Sequence, residues 1–226
     1  MKIVCHINKC LVPIIICFLL IFLPVNTSVY SQEKILVFNF NEKELTKVKT
    51  HSIKKKTNYS ISTDQNGSSF LKAEAEGQAS GLGKEIKINL QNTPYLNITW
   101  KVEEGLAGIK EDTKKGHDFA ARVSVIKEVG SLPWQKNAMN YVFSSNKKTN
   151  TWWVGPYRKQ IIDYVASSLV DQKINTWVTV KINVKEHFQK YLNMDVNEID
   201  GVAIMTDTDN SKKKAIAYYK NIYFSN

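Results

Sequence analysis

Apolar and polar residues alternate with a period of two through most of the chain. The clearest stretch runs from Tyr95 to Glu103, and residues 177–184 repeat it. Successive side chains of a β-strand point to opposite faces, so this alternation predicts strands with one face on a core and the other in water. Weaker alternation recurs at residues 34–40, 69–76, 85–90, 118–126, 139–143, 199–205 and 215–224. In the clearest stretch the predicted inward residues are Leu96, Ile98, Trp100 and Val102.

These segments predict about nine to eleven strands, which turn formers such as Gly81-Leu82-Gly83 separate. Helical spacing is clear only from Lys185 to Asn193, where Phe188 and Leu192 lie four residues apart. No βα unit repeats along the chain. The lysine-rich segment from Lys43 to Thr57 shows little periodicity and predicts a long surface loop. The fold class is therefore all-β: an antiparallel β-sandwich of jelly-roll type with one short helix.

The N-terminus has the order of a secretory signal peptide. Lys2 and Lys9 precede an apolar run from Leu11 to Val25, and Ser31 offers a small residue at a cleavage site. The run is shorter than the roughly 20 residues that a spanning helix needs. We therefore expect residues 1–31 to be a signal peptide and residues 32–226 a single β-sandwich domain that is periplasmic or secreted. The alternative is a retained anchor, in which case the membrane is contacted only through the uncleaved signal.

Cysteine usage and charge exclude several classes of function. All three cysteines lie in the leader, so the mature domain offers no disulfide, cysteine nucleophile or cysteine-bound metal. The mature part carries 29 Lys and Arg against 21 Asp and Glu, which makes anionic partners worth considering. Its only arginines are Arg122 and Arg158, however, and nucleic-acid surfaces usually rely on the forked guanidinium. We expect no nucleic-acid partner.

One loop concentrates oxygen donors. Asp207, Asp209 and Asn210 lie on a predicted loop between two strands, and calcium favours such ligands. The loop does not fit an EF-hand, because Lys212 occupies the position where that motif has glycine. The alternative is that these side chains bond nearby backbone amides and shape the turn. We expect no cofactor, and calcium at Asp207, Asp209 and Asn210 is the alternative.

Two further groups are candidate ligand-binding residues. Alternation places Asp118 and Arg122 on one face of a strand, with Phe119 and Ala121 on the other. Asp118 and Arg122 could bond sugar hydroxyls in a groove, or they could form an ordinary surface ion pair. The second group is the loop-like sequence that contains Trp152, Trp153, Tyr157 and Arg158. Its aromatic rings could stack on a sugar or fold back onto the core.

Several motifs, taken together, resemble a known bacterial family. They include Trp100-Lys101-Val102, Asp118-Phe119-Ala120-Ala121-Arg122-Val123 and, in the C-terminal third, Ile204-Met205-Thr206-Asp207-Thr208-Asp209-Asn210. In this order and over most of the mature chain they resemble the family called domain of unknown function 3047. The resemblance implies an exported bacterial protein with a β-rich fold, and it implies no reaction.

The sequence predicts a non-catalytic binding module, with an envelope or extracellular polysaccharide as its partner. A polysaccharide-cleaving hydrolase or lyase on the same fold is the first alternative, since carboxylates such as Glu103 and Asp118 could act across a cleft. A structural envelope protein is the second. No Gly-x-Ser-x-Gly elbow is present to indicate a serine hydrolase.

Overall fold

A computed structural model describes residues 33–132 and 135–226. The predicted signal peptide, residues 1–31, and its cleavage site lie outside the described residues. Two β-sheets face each other across one core, and every strand pair is antiparallel except β8 with β10. The predicted β-sandwich of jelly-roll type is confirmed. The described residues form thirteen strands, two more than the upper end of the predicted range.

The six-stranded sheet has the order β11-β6-β13-β4-β3, with β1 also paired to β13. Its strands are β1 (Lys34–Phe38), β3 (Asn58–Thr63), β4 (Ser69–Glu76), β6 (Tyr95–Glu104), β11 (Val178–Asn183) and β13 (Lys214–Ser225). The seven-stranded sheet has the order β2-β5-β12-β7-β8-β10-β9. Its strands are β2 (Lys49–Lys54), β5 (Ala79–Asn89), β7 (Ala121–Glu128), β8 (Lys136–Ser144), β9 (Trp152–Val154), β10 (Ile161–Ser168) and β12 (Glu198–Asp207).

The Trp100 side chain connects the two sheets through contacts with strands of the opposite sheet. It is fully buried on β6, and its ring centroid lies 5.6 Å from that of Phe143 on β8 of the other sheet. Its indole Nε1 donates a hydrogen bond to the Ser167 hydroxyl on β10 at 3.0 Å. A buried indole N–H without such a partner would cost stability. All four inward residues predicted for this strand are buried, which confirms the alternation.

The predicted short helix is α2 (Val184–Leu192). The Asn183 side chain accepts a hydrogen bond from the Glu186 amide at 3.2 Å and so caps its first turn. Asn193 ends it in the left-handed region, with φ of 54°. Phe188 is fully buried and attaches the helix to the core.

The prediction that Lys43 to Thr57 forms a surface loop is wrong in part. The segment contains a four-residue helix, α1 (Glu42–Leu45), and the edge strand β2. Every residue of β2 is exposed, so neither face of the strand selects apolar side chains. An edge strand of this kind leaves no alternation in the sequence, and pairing with β5 alone defines it.

No helix among the described residues has both the length and the apolar character needed to cross a membrane.

Candidate functional site

The candidate site is a cavity of about 340 Å³ where β12 ends and β7 begins, on the side of the seven-stranded sheet that faces away from the core. Outward side chains of β7, β8 and β12 form its floor, and loops form its walls. Most of its lining residues have polar or charged side chains, although apolar atoms make up most of the exposed lining surface. The lining residues are Ile53, His117, Arg122, Asn140, Gly155, Tyr157, Arg158, Ile161, Asp207, Asp209 and Asn210.

Asp118 fixes one wall of the cavity. It is fully buried just before β7, and its carboxylate accepts hydrogen bonds from the loop that follows β12. The Asn210 amide lies 3.1 Å from Oδ1, the Asn210 Nδ2 lies 2.9 Å from Oδ1, and the Ser211 amide lies 2.5 Å from Oδ2. The sequence predicted that the loop's own acids would bond its amides. The structure gives this role to Asp118, which lies on a different segment of the chain, just before β7.

Arg122 and Asp207 form an ion pair at the cavity floor. The guanidinium Nη2 lies 3.0 Å from Asp207 Oδ1, and both side chains are almost completely buried. Burial raises the pKa of Asp207 to about 6; Arg122 opposes this effect, and the charges of Asp118 and Asp209 add to it. The predicted pairing of Arg122 with Asp118 is therefore replaced by a pair with Asp207. The Asp207 carboxylate therefore partly neutralises the positive charge of Arg122 at the cavity floor.

A series of hydrogen bonds that begins at Ser124 and passes through Asn140 and Asp163 ends at the His117 side chain. Ser124 Oγ lies 2.6 Å from Asn140 Oδ1, and Asn140 Nδ2 donates to Asp163 Oδ1 at 2.8 Å. The second oxygen of the fully buried Asp163 lies 2.8 Å from His117 Nε2. A carboxylate only accepts hydrogen bonds, so His117 donates its Nε2–H to Asp163. Ser124, Asn140 and Asp163 lie on the neighbouring strands β7, β8 and β10. Asn140 is the direct partner of both others in the sheet, so the hydrogen bonds run across the three strands.

Tyr157 provides an aromatic wall. Its side chain is 55% exposed, and its ring centroid lies 5.6 Å from that of His117. The phenol oxygen lies 2.8 Å from the carbonyl oxygen of Lys114 and 3.0 Å from Asn210 Oδ1. These contacts hold the exposed ring in one orientation. Partial burial and the nearby Asp209 and Asp118 raise the pKa of Tyr157, so its hydroxyl stays protonated at neutral pH.

Trp152 and Trp153 lie outside the cavity lining. They were predicted in a loop, but they begin the three-residue edge strand β9, so their side chains point to opposite faces. The Trp152 ring packs against Tyr191 of α2, with centroids 5.0 Å apart. The Trp153 ring stacks on Phe119, with centroids 6.3 Å apart. The cavity lining therefore brings together Arg122, Tyr157 and Arg158 from the predicted ligand residues. It does not include Asp118, Trp152 or Trp153.

The predicted metal ligands fit calcium poorly. Of the predicted ligands, Asp207 and Asp209 each offer an oxygen atom within 4.8 Å of the other, and the third member of this group is Asp118, where the sequence predicted Asn210. Asp118 already accepts three N–H groups, however, and the Arg122 guanidinium lies 3.0 Å from Asp207. A cation at this point would meet a buried positive charge and displace backbone amides. These contacts therefore favour the interpretation in which the side chains shape the turn over the one in which they bind calcium.

We expect a chelator to leave the thermal stability unchanged. A ligand that binds only the folded state stabilises it by mass action, so a resident calcium ion would make the melting temperature depend on free calcium. Melting curves followed by tryptophan fluorescence should coincide, within about 1 °C, in excess EDTA and in millimolar calcium. A melting temperature that EDTA lowers and calcium restores would establish the metal site instead.

Sequence reasoning missed His117, Asn140 and Asp163. Asp163 lies 46 residues after His117 in the chain. The register of β8 with β10 brings Asn140 and Asp163 together, and the segment before β7 brings His117 to Asp163. A polar residue inside an otherwise apolar strand, such as Asp163 in Ile161–Ser168, is the one signal that could have marked the site.

A family model matches residues 43–223, which is most of the chain. The chain belongs to the family described as "Protein of unknown function (DUF3047)". This confirms the resemblance inferred from the motifs around Trp100, Asp118 and Asp207. No curated protein matches the chain in sequence.

Solved structures give distant matches. A family 30 carbohydrate-binding module of a Clostridium thermocellum cellulosomal cellulase is 11% identical, with a TM-score of 0.46 over 85% of this chain and 96% of that one. TmCBM61 in complex with β-1,4-galactotriose is 8% identical, with a TM-score of 0.37 over 84% and 98%. Winged bean acidic lectin is 10% identical, with a TM-score of 0.38 over 86% and 98%. Similarity at this level is no evidence for what this chain binds.

Proposed function

We propose that this protein is an exported, non-catalytic module that binds a polysaccharide in the cavity beside Tyr157. The observation that carries the proposal is the combination, in one cavity of about 340 Å³, of polar side chains fixed from behind and one exposed aromatic ring. Sites for small molecules or single sugar units typically measure about 300–1,000 Å³. The predicted signal peptide agrees with a partner outside the cytoplasm.

Rigid polar groups suit a sugar. Asn140 is held between Ser124 and Asp163, and His117 is held by Asp163, so neither side chain must be ordered when a ligand arrives. Groups that are ordered before binding avoid the conformational entropy cost of about 0.5–1.5 kcal/mol per side chain. Sugar hydroxyls both donate and accept hydrogen bonds. A cavity that offers amide, imidazole, guanidinium and carboxylate groups can match them.

The Tyr157 ring supplies the apolar contact that a sugar also needs. The C–H groups on one side of a pyranose form a flat apolar surface, and an aromatic ring covers it well. The hydroxyl contacts of Tyr157 fix the ring at the mouth of the cavity while more than half of its side chain stays exposed. The charges of Arg122 and Asp207 offset each other, so this cavity needs no net charge on the sugar.

Replacement of Tyr157 by alanine should weaken glycan binding by about tenfold, the loss expected when a central aromatic contact of an interface is removed. The measurement is affinity electrophoresis in gels containing soluble neutral polysaccharides such as galactan, xyloglucan, mannan or dextran. Tyr157→Phe keeps the ring and should retain most of the affinity. Circular dichroism checks that each variant is folded.

Trp152→Ala is the matched control, because Trp152 is also an exposed aromatic residue but lies outside the cavity lining. It should leave binding unchanged. If Trp152→Ala weakens binding and Tyr157→Ala does not, the ligand lies at β9 and the proposed site is wrong. If the wild type binds no polysaccharide in the panel, the structural-protein alternative is preferred.

A polysaccharide-cleaving enzyme is the second candidate, and the His117–Asp163 pair favours it. A buried carboxylate that fixes the orientation of a histidine is an arrangement suited to a general base. The same electrophoresis samples can be assayed for new reducing ends. Chain cleavage that is lost in His117→Gln while binding persists would establish the enzyme and overturn the non-catalytic proposal.

A further inference from the structure

A second cavity adjoins the first. It measures about 300 Å³ and lies between the loop from Gly108 to Gly116 and the loop that follows β12. Three lysines line it, Lys110, Lys115 and Lys213, and no acidic residue does. Its other lining residues are Gly108, Ile109, Thr113, Gly116, Asn210 and Ser211. The first cavity, in contrast, is lined by two arginines and two aspartates.

The acids nearest in sequence to these lysines are held elsewhere. Glu111 is 1% exposed and accepts hydrogen bonds from the Ser145 amide at 2.8 Å and from Asn146 Nδ2 at 3.0 Å. Asp112 forms an ion pair with Lys147 at 3.0 Å. Within the described ranges, none of the three cavity lysines forms an ion pair with an acid. The Lys213 ammonium donates a hydrogen bond to the Ala107 carbonyl. That contact leaves its charge intact, so all three lysine charges can attract an anionic ligand.

Both walls of this basic cavity are fixed. The carboxylate of Glu111 anchors the first loop to the end of β8, and the Gly108 amide donates to Asn146 Oδ1 at 2.7 Å. The second loop is held by Asp118 through its bonds to Asn210 and Ser211. The cavity thus keeps its shape without a ligand.

Asn210 lines both cavities, and Gly116 of the basic cavity is followed directly by His117 of the first. The Tyr157 hydroxyl lies 2.8 Å from the Lys114 carbonyl and 3.0 Å from Asn210 Oδ1, so the aromatic wall of the first cavity contacts both loops that form the basic cavity. A sugar against Tyr157 would therefore have its neighbouring substituents close to the lysines.

We infer that the basic cavity binds the carboxylate or sulfate group of an acidic polysaccharide whose neighbouring sugar occupies the first cavity. The inference rests on the proposed function and narrows its ligand to an anionic glycan. Lysine ammonium groups act as point charges without the planar fork of arginine, so the cavity selects for negative charge and accepts either anion. The excess of Lys and Arg over acids in the mature chain, 29 against 21, attracts the same class of ligand over longer distances.

The test compares matched polymers by affinity electrophoresis. One pair is polygalacturonate and its neutral, carboxyl-reduced form, and the other is dextran sulfate and dextran. The salt concentration is kept at about 0.15 M, where screening suppresses interactions beyond about 8 Å. We expect the wild type to bind at least one acidic polymer about tenfold more tightly than its neutral form, a difference of about 1.4 kcal/mol. The two pairs distinguish carboxylate from sulfate as the preferred anion.

The double variant Lys110→Gln and Lys115→Gln should abolish that preference and leave binding of the neutral form unchanged. The control double variant is Lys43→Gln and Lys173→Gln, which removes the same charge from exposed lysines outside both cavity linings. It should change each affinity by less than about twofold, since distant exposed charges are screened.

Three results would overturn the inference: no acidic polymer preferred over its neutral form, equal losses in the two double variants, or oligothymidylate bound as tightly as the acidic polymer through the same lysines. The last result would indicate a general polyanion surface. Tyr157→Ala on the neutral polymers tests the proposed function separately. A lysine-dependent preference with no Tyr157 effect would retain the anion site and reject the sugar site.

Discussion

Asp118→Ala should lower the free energy of unfolding by on the order of 3 kcal/mol, because each buried N–H group left without an acceptor costs about 1–3 kcal/mol. The carboxylate accepts from the Asn210 amide, the Asn210 side chain and the Ser211 amide, and the residue is fully buried. In a domain of this size that loss corresponds to a melting temperature about 6–12 °C lower. Urea unfolding followed by tryptophan fluorescence measures it.

Asp64 provides the matched comparison. Its carboxylate also accepts two backbone amides of a turn, those of Asn66 and Ser68, both at 2.9 Å, but it is partly exposed. Its other contact is an ion pair with Lys220 at 2.8 Å, and water can replace this exposed acceptor, so Asp64→Ala should cost much less stability than Asp118→Ala. Asp118→Asn keeps one acceptor oxygen and should lose about half as much as Asp118→Ala. Equal losses at positions 64 and 118 would show that the loop after β12 does not depend on Asp118.

The fold could be predicted from the sequence wherever one face of a strand is buried. Trp100 and its neighbours alternate because the core selects every second residue, and α2 was found through the spacing of Phe188 and Leu192. β2 was missed because all of its residues are exposed, and β9 because three residues are too few for a pattern. Alternation also misplaced Phe119. Ala120 and Ala121 are both in the main core, so the period breaks there and Phe119 packs with Val142 and Val165 in a separate cluster.

The site was only partly predictable, because strand register creates it. Arg122 was selected as a rare arginine and Tyr157 as an exposed aromatic, and both line the cavity. The partner of Arg122 could not be deduced, since pairing of β7 with β12 places Arg122 opposite Met205 and so beside Asp207. Asp118 was assigned to the strand, whereas β7 begins at Ala121. Its position in the preceding loop lets it reach Asn210, 92 residues away.

Asp207→Asn should change the dependence of stability on pH. Burial raises the pKa of Asp207 from 3.8 in the unfolded chain to about 6 in the folded protein. Between these values the folded state binds the proton more tightly, so stability falls as the pH rises. The protonated carboxyl costs nothing below about pH 4, whereas the ionised one costs about 3 kcal/mol above pH 6, at 1.36 kcal/mol per unit of pKa. The asparagine variant has no such proton to lose.

The difference in unfolding free energy, variant minus wild type, should therefore rise by about 2 kcal/mol between pH 4 and pH 7, which is most of the full effect of about 3 kcal/mol. Asp112→Asn is the control with the opposite sign. The ion pair with Lys147 lowers the pKa of Asp112, so its carboxylate stabilises the wild type as the pH rises, and the difference should fall slightly. Urea titrations at several pH values measure both. A flat or falling difference for Asp207→Asn would mean that Arg122 compensates fully for burial.

Since the charge of Asp118 also raises the pKa of Asp207, the rise in the stability difference should be smaller and shifted to lower pH when Asp207→Asn is compared in an Asp118→Asn background.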